Sequence, residues 1–253
     1  MTLNRLLPLL APLASYGLAQ MYFFYPKLIY LAVILINLLI FFTVWRFGAA
    51  SQVDREWWNY LILPAVMSIA IMAYSVFLNS RPVIQLLFVL NSAFLYSYLR
   101  QIYYYLLKPS SYEAFSIDNI SSYASWLSFF FLSATIYGLQ SFLNFSIFSL
   151  ALVVLAATAL ISYQIIWVNK IELKKALPYI LISCLILVDL CWSISFLPFN
   201  YNISGLSLAI CFYAVSGLIK NQLLDKLDAA RVKMYLTLGL ASLFLILFTA
   251  RWI

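Results

Sequence analysis

Residues 61–78 read LILPAVMSIAIMAYSVFL, eighteen positions without one charged side chain. A bilayer hydrocarbon core about 30 Å thick takes roughly 20 such residues as a helix. A membrane β-barrel would instead show segments of about 10 residues with alternating polarity, and this run has no alternation. The α-helix is the other structure that satisfies its own backbone in lipid. The stretch therefore predicts a transmembrane helix over about 58–79. Working outward, eight more stretches of the same kind lie near 6–24, 27–46, 82–107, 121–143, 145–168, 176–198, 203–220 and 232–251.

The expected fold class is all-α: a polytopic integral membrane helical bundle of about nine transmembrane helices. The whole chain, 1–253, reads as a single transmembrane domain with no soluble domain. Composition agrees, with 66% hydrophobic and 9% charged residues and a mean hydropathy of +0.98 over 253 residues. Twenty-three charged side chains cannot cover a soluble globule of 29.0 kDa. The net charge of +7 is spread over short loops, not gathered on one basic face, so nucleic acid is not an expected partner. The first span has an alternative reading. Arg5, an apolar run and the small residues of Tyr16-Gly17-Leu18-Ala19 resemble a cleavable secretory signal, which would leave eight spans. Against it, Met21-Tyr22-Phe23-Phe24-Tyr25-Pro26 leads straight into the next span, so a retained first helix is expected.

Basic residues set the orientation. With the amino terminus in the cytoplasm, eleven fall on that side: Arg5, Arg46, Arg55, Lys108, Lys170, Lys174, Lys175, Lys220, Lys226, Arg231 and Lys233. The other side keeps three, Lys27, Arg81 and Arg251. The positive-inside rule then places the amino terminus inside and the carboxyl terminus outside. Trp45, Trp57, Trp58 and Trp167 fall near the cytoplasmic boundary and Trp252 near the outer one, where amphipathic rings settle. Compact loops point to a plasma (inner) membrane.

Self-similarity recurs at the outer turns. Phe23, Phe77, Phe142 and Phe196 stand at equivalent places, with spacings of 54, 65 and 54. The long spacing contains the 11-residue loop 109–119, whose removal restores 54. SFLNFSIFSLAL (141–152) also resembles SFLPFNYNISGLSLA (195–209). The pattern is that of four tandem helical hairpins followed by a ninth helix.

Charges within spans are costly, about 2.5–3.5 kcal/mol each on insertion scales, and so mark candidate sites. Arg100 in span four and Asp189 in span seven qualify. Their side chains lean toward each other in depth, so an ion pair is the expectation if those spans are neighbours. Gln85, Ser92, Tyr96 and Arg100 are spaced 7, 4 and 4, one helical face. With Tyr103 and its neighbours Tyr104 and Tyr105 this face is a candidate cavity lining, or ordinary polar glue between helices. Ser121, Ser125, Ser128, Gly138 and Gln140 give span five a small polar face of the same kind. Pro8, Pro12, Pro64 and Pro178 fall within or beside spans. Between Lys220 and Lys233, Leu223, Leu224, Leu227 and Ala230 recur with helical spacing among Asp225, Lys226, Asp228 and Arg231. That pattern predicts a short amphipathic helix on the membrane surface or a docking segment for a partner.

Much chemistry is excluded. The chain has no histidine, which removes histidine triads, histidine–zinc sites and histidine proton relays. Cys184, Cys191 and Cys211 form no Cys-x-x-Cys and read as small hydrophobes, not as ligands or disulfides. With 6 glycines no phosphate-cradling loop appears, no paired acids for magnesium lie in a span, and no late span carries a central lysine. No catalytic residue, metal or cofactor is expected. Three classes remain. First is a small solute or lipid transporter of permease type, with Arg100 and Asp189 as polar landmarks. Second is a non-catalytic membrane subunit or scaffold, with a protein partner or a second copy besides the bilayer itself. Third is a lipid-handling enzyme built on Arg100, Lys108, Glu113, Asp118 and the tyrosines.

Overall fold

The computed structural model describes residues 2–51, 56–113 and 115–250, with the side chains of residues 2 and 3 excepted. Arg55, Arg251 and Trp252, used above for orientation, lie outside the described residues. Nine α-helices and no strands occur among the described residues: α1 Thr2–Phe24, α2 Ile29–Ala50, α3 Asn59–Ser75, α4 Arg81–Leu107, α5 Ser116–Leu143, α6 Ile147–Val168, α7 Leu173–Ser195, α8 Tyr201–Leu223 and α9 Ala229–Thr249. Each expected span is a helix. Eight are long and apolar enough to cross a membrane, and α3, at 17 residues, is the shorter one. The span expected over 58–79 ends early because Phe77 and Leu78 donate to Tyr74 and Ser75 in tighter, three-residue turns.

The chain is a membrane helical bundle. Its lateral surface is apolar, with Leu38, Leu86, Leu152, Leu185 and Phe248 exposed. Its interior holds small polar residues, Ser68, Asn91, Thr158, Ser183 and Ser207 among them. This distribution fits lipid, where packing of small residues and interhelical hydrogen bonds replace the hydrophobic drive.

Packing divides the chain into two compact units, Met1–Ala124 and Ser125–Ile253. In the first, α1 lies against α2 and α4, α2 against α3 and α4, and α3 against α4. Tyr16 Oη and Gln20 Nε2 both donate to Gln85 Oε1, at 3.1 and 2.7 Å, and Gln85 Nε2 returns a bond to Gln20 Oε1 at 3.0 Å. Ser68 Oγ donates to Asn91 Oδ1 between α3 and α4, and Arg46 Nε donates to Asn4 Oδ1 between α2 and α1. The first helix is thus tied into its unit on two sides.

In the second unit, α6 lies against α7 and α8, and α7 and α9 against α8. The remainder of α5 packs on α8, where Phe129 and Phe212 stack at 4.2 Å. Tyr137 Oη of α5 donates to the Cys191 carbonyl of α7 at 3.0 Å. The two units therefore share a neighbour scheme: first helix with fourth, second with third and fourth, third with fourth. Each unit is thus a set of four helices with these contacts, within which the hairpin neighbours α1 and α2, α3 and α4, and α7 and α8 also pack on each other. The sequence carries the same period. Tyr16-Gly17-Leu18 near the end of α1 recurs as Tyr137-Gly138-Leu139 near the end of α5, 121 residues on, and Phe23 and Phe77 recur 119 residues on as Phe142 and Phe196. The tandem-hairpin reading registers the turns of this pattern, but packing joins α6 to α7 and α1 to α4 across its hairpin boundaries.

The helix expected within 220–233 is not there. Asp225 adopts φ 54° and closes α8: its N–H donates to Gln222 O, and Lys226 N–H reaches back to Asn221 O, the pattern of a Schellman stop. Asp228 then caps α9, accepting from Arg231 N–H at 2.7 Å. Leu223 thus ends one helix, Leu224 and Leu227 lie in the connection, and Ala230 and Arg231 open the next. The two aspartates that read as a polar face are the stop and start signals of neighbouring helices.

Gly205 of α8 packs tightly against the backbone of α5 in the second unit. A Cβ there would stand 2.6 Å from the Ala134 backbone nitrogen, whereas a Cβ on Gly17 would meet nothing within 4 Å. Gly205→Ala is expected to destabilise the protein by about 1–3 kcal/mol, while Gly17→Ala is neutral or mildly stabilising. Thermal unfolding of the two variants in detergent checks this; equal midpoints would mean that α5 and α8 do not approach so closely.

Candidate functional site

A recess walled by several helices lies at the end of the first unit where α1 and α3 finish and α2 and α4 begin. It encloses about 480 Å³ and is lined by Tyr22, Phe23, Phe24, Pro26, Ile29, Ser75, Val76, Leu78, Arg81 and Ile84. Volumes of about 300–1,000 Å³ with apolar walls and few polar groups are typical of small-molecule sites. Local sequence explains the shape. Pro26 starts a single 3₁₀ turn, Pro26–Leu28, between α1 and α2, which parts the ends of those helices. Pro82 sits in the first turn of α4, where a missing N–H costs nothing. The wall between α1 and α4 is fixed just below the recess by the Tyr16–Gln20–Gln85 bonds, Gln85 standing one turn from Arg81. Tyr22 is buried and lies against Phe88 with rings 6.2 Å apart.

Among the described residues, Arg81 is the only charged side chain lining this recess, and it makes no hydrogen bond or ion pair with any of them. Ser80, at the N-cap of α4, makes no side-chain cap bond, so the positive end of the helix adds to the arginine's charge. Sequence reading placed Arg81 on the outer side only as an orientation marker. Its isolation from acids and the Phe23-Phe24-Tyr25-Pro26 cluster were the signals available, but only the fold shows that they meet.

The residues singled out from the sequence have other surroundings. Arg100 is exposed on α4; its Nη1 donates to Tyr96 Oη at 3.1 Å, and its guanidinium lies 5.8 and 5.6 Å from the Tyr96 and Tyr104 ring centres. One turn of its own helix on either side thus supplies the aromatic faces that make an arginine tolerable near lipid. Asp189 is exposed on α7, and its carbonyl accepts from Ser193 Oγ. It belongs to the second unit and Arg100 to the first. Gln85 is bonded between α1 and α4. Ser92 Oγ is buried without a protein partner. Tyr103 stands edge-on to Phe47 of α2, with rings 5.9 Å apart. The polar stripe of α4 is therefore divided among glue, packing and surface. At the α4–α5 corner, Tyr112 Oη accepts from Ile117 N–H, and Tyr105 packs edge-on against its ring. Burial, with Asp118 and Tyr105 nearby, raises the Tyr112 pKa above the ordinary value against the pull of that N–H, so it stays neutral at physiological pH. Cys184 and Cys191 are buried, Cys211 is half-buried, and all three are free.

Sequence reading also missed Gln164. It is fully buried in α6, and neither amide atom has a protein hydrogen-bond partner. Thr158 and Ser207 hydroxyls are likewise buried and unpartnered in this unit. Glutamine amid Ile161, Ile165 and Ile166 gives no periodic signal of its own.

The fold and these surroundings define a multi-pass membrane protein without a recognisable catalytic constellation among the described residues. The chain belongs to the family described as protein of unknown function (DUF5656), which it matches over residues 28–249. No curated protein matches the chain, and no solved structure does.

Gln164→Met, which keeps the volume and removes the amide, is expected to raise the unfolding midpoint, since each unsatisfied buried polar group costs about 1–3 kcal/mol. A lower midpoint in detergent would mean that the amide is satisfied by water or a ligand.

Proposed function

We propose that the protein is a small permease-like bundle that handles a lipid or a small amphiphilic solute at the plasma membrane, with its amino terminus in the cytoplasm. The recess at the α1–α4 end of the first unit carries this reading: it has the volume of a ligand site, aromatic walls and one unpaired cation. In this orientation it opens at the outer surface. Transport, and not chemistry, is favoured because the hydroxyls of the walls have no base beside them: Ser75 is committed to the Met72 carbonyl at 2.7 Å, and Tyr22 is buried against Phe88.

A second reading, a membrane subunit or scaffold, draws on α9. That helix has no buried residue, and Val232, Leu236, Leu240 and Phe244 form a stripe along it. Its contacts run to α8, through Tyr213 against Tyr235 and through Asn221, which meets Tyr235 and Arg231. Under this reading a partner helix covers the stripe.

Native mass spectrometry of the protein extracted in mild detergent separates the two. Under the permease reading, the protein appears alone or with copies of itself and retains a lipid or solute. A stoichiometric second polypeptide would transfer the assignment to the subunit reading. The orientation is tested independently with reporters inserted in the connections: one at 224–228 is expected to remain cytoplasmic and one at 144–146 to be exported. The opposite pattern would turn the recess to the cytoplasm.

A further inference from the structure

The recess can be read more closely than its volume, by its charge and by what the second unit lacks. Among the described residues, the acids of the first unit lie away from it: Glu56 falls between α2 and α3, and Glu113 and Asp118 around the start of α5. At the recess end the charged side chains are Lys27, beside Pro26, and Arg81, which lines it. An unneutralised arginine at the rim of an aromatic and aliphatic hollow is complementary to one kind of ligand, an anionic head group on an apolar chain.

The second unit makes the corresponding helix contacts without such an arginine. The helix of the second unit equivalent to α4 is α8. It begins with Asn200, whose side chain accepts from Asn202 N–H and caps the helix, and its first turn carries no charge. The same four-helix scheme therefore forms with an ordinary neutral cap. In the first unit that cap bond is absent at Ser80, and a cation stands next to it. Arg81 is a departure from the repeat that brings no internal partner, so its purpose lies outside the protein's own packing.

We propose that this recess is a binding site for a phosphate- or carboxylate-bearing lipid, with the head group on Arg81 and the α4 amino terminus and an acyl chain along Phe24, Val76 and Leu78. The proposal rests on the permease reading and names its ligand class. Arg81 would bind by a forked pair of charge-assisted hydrogen bonds, which a lysine reproduces only in charge.

The test is native mass spectrometry of the purified full chain titrated in detergent with phosphatidylglycerol, phosphatidylcholine or inorganic phosphate. The wild type is expected to hold one phosphatidylglycerol about tenfold more tightly than phosphatidylcholine, a contrast in line with one charge-assisted contact. Arg81→Gln should abolish that preference and Arg81→Lys should restore part of it. Val76→Trp, at a half-exposed position on the wall, should weaken both lipids by filling the recess while leaving the arginine in place. Unfolding midpoints within a few degrees of wild type show that the variants fold. An unchanged preference in Arg81→Gln overturns the site. Displacement of the lipid by millimolar inorganic phosphate overturns the lipid half of the assignment and points to free phosphate. If the wild type retains a different ligand that none of the three variants affects, this site fails and the permease reading stands; if it retains no ligand at all, both fail.

Discussion

A polar group in hydrocarbon has to find its partner inside the protein, and most of this structure follows from that constraint. Backbone groups are satisfied by folding nearly every described residue into helices. Helix ends are closed locally, by Asn200 and Asp228 as caps and by Asn144, Lys170 and Asp225 in the left-handed conformation where a soluble protein would more often use glycine. Side chains then provide the links between helices. Gln85 reaches Tyr16 and Gln20, Ser68 reaches Asn91, and Tyr137 reaches a carbonyl of α7. Each is worth about 0.6–2 kcal/mol in a membrane setting. They matter because lipid tails compete on equal terms for every leucine, so directional bonds and close approaches such as Gly205 on Ala134 decide which helix neighbours which.

The helices were legible in the sequence because their signal is local. A run such as 61–78 declares itself by length and polarity alone, and all nine helices overlap the expected spans. Their endings were less legible. At 220–233, Asp225 and Asp228 satisfied the arithmetic of an amphipathic helix, and only their backbone conformations show them to be a stop and a start. The spacing of phenylalanines at the turns was visible, but the object that repeats was not. Helical hairpins and four-helix units place the turns at compatible intervals, and the choice between them depends on which faces meet.

The candidate site was less legible still. Cost in a span was the search criterion, and it selected Arg100 and Asp189, both of which prove to be exposed on their helices. Arg100 is accommodated by Tyr96 and Tyr104 on its own helix. Arg81 carried no such flag, since an arginine at a helix start near the membrane surface is ordinary. Its interest arises from two helix junctions distant in sequence, at residues 22–29 and 75–84, which enclose a common space. Gln164 escaped for the opposite reason. An uncharged amide in an apolar run costs less than a charge, and its lack of a partner is a property of packing.

The two units together form a controlled comparison within one chain. They share length, helix order and neighbour scheme, so features common to both are what the four-helix arrangement needs: the Tyr-Gly-Leu near the end of the first helix, and a close contact between first and fourth helices. Features found in one alone are free to serve something else. The first unit alone has a cation at the start of its fourth helix, where the second has a neutral asparagine cap. The second alone has a fully buried, unpartnered glutamine and a helix, α9, added beyond the repeat with no buried face. These departures are where selection for stability explains least. In the first unit the departure is a cation at the rim of an aromatic hollow; in the second they are a buried amide on α6 and an unburied apolar stripe on α9. The four-helix contacts account for none of them, since each unit forms those contacts without the other's departures.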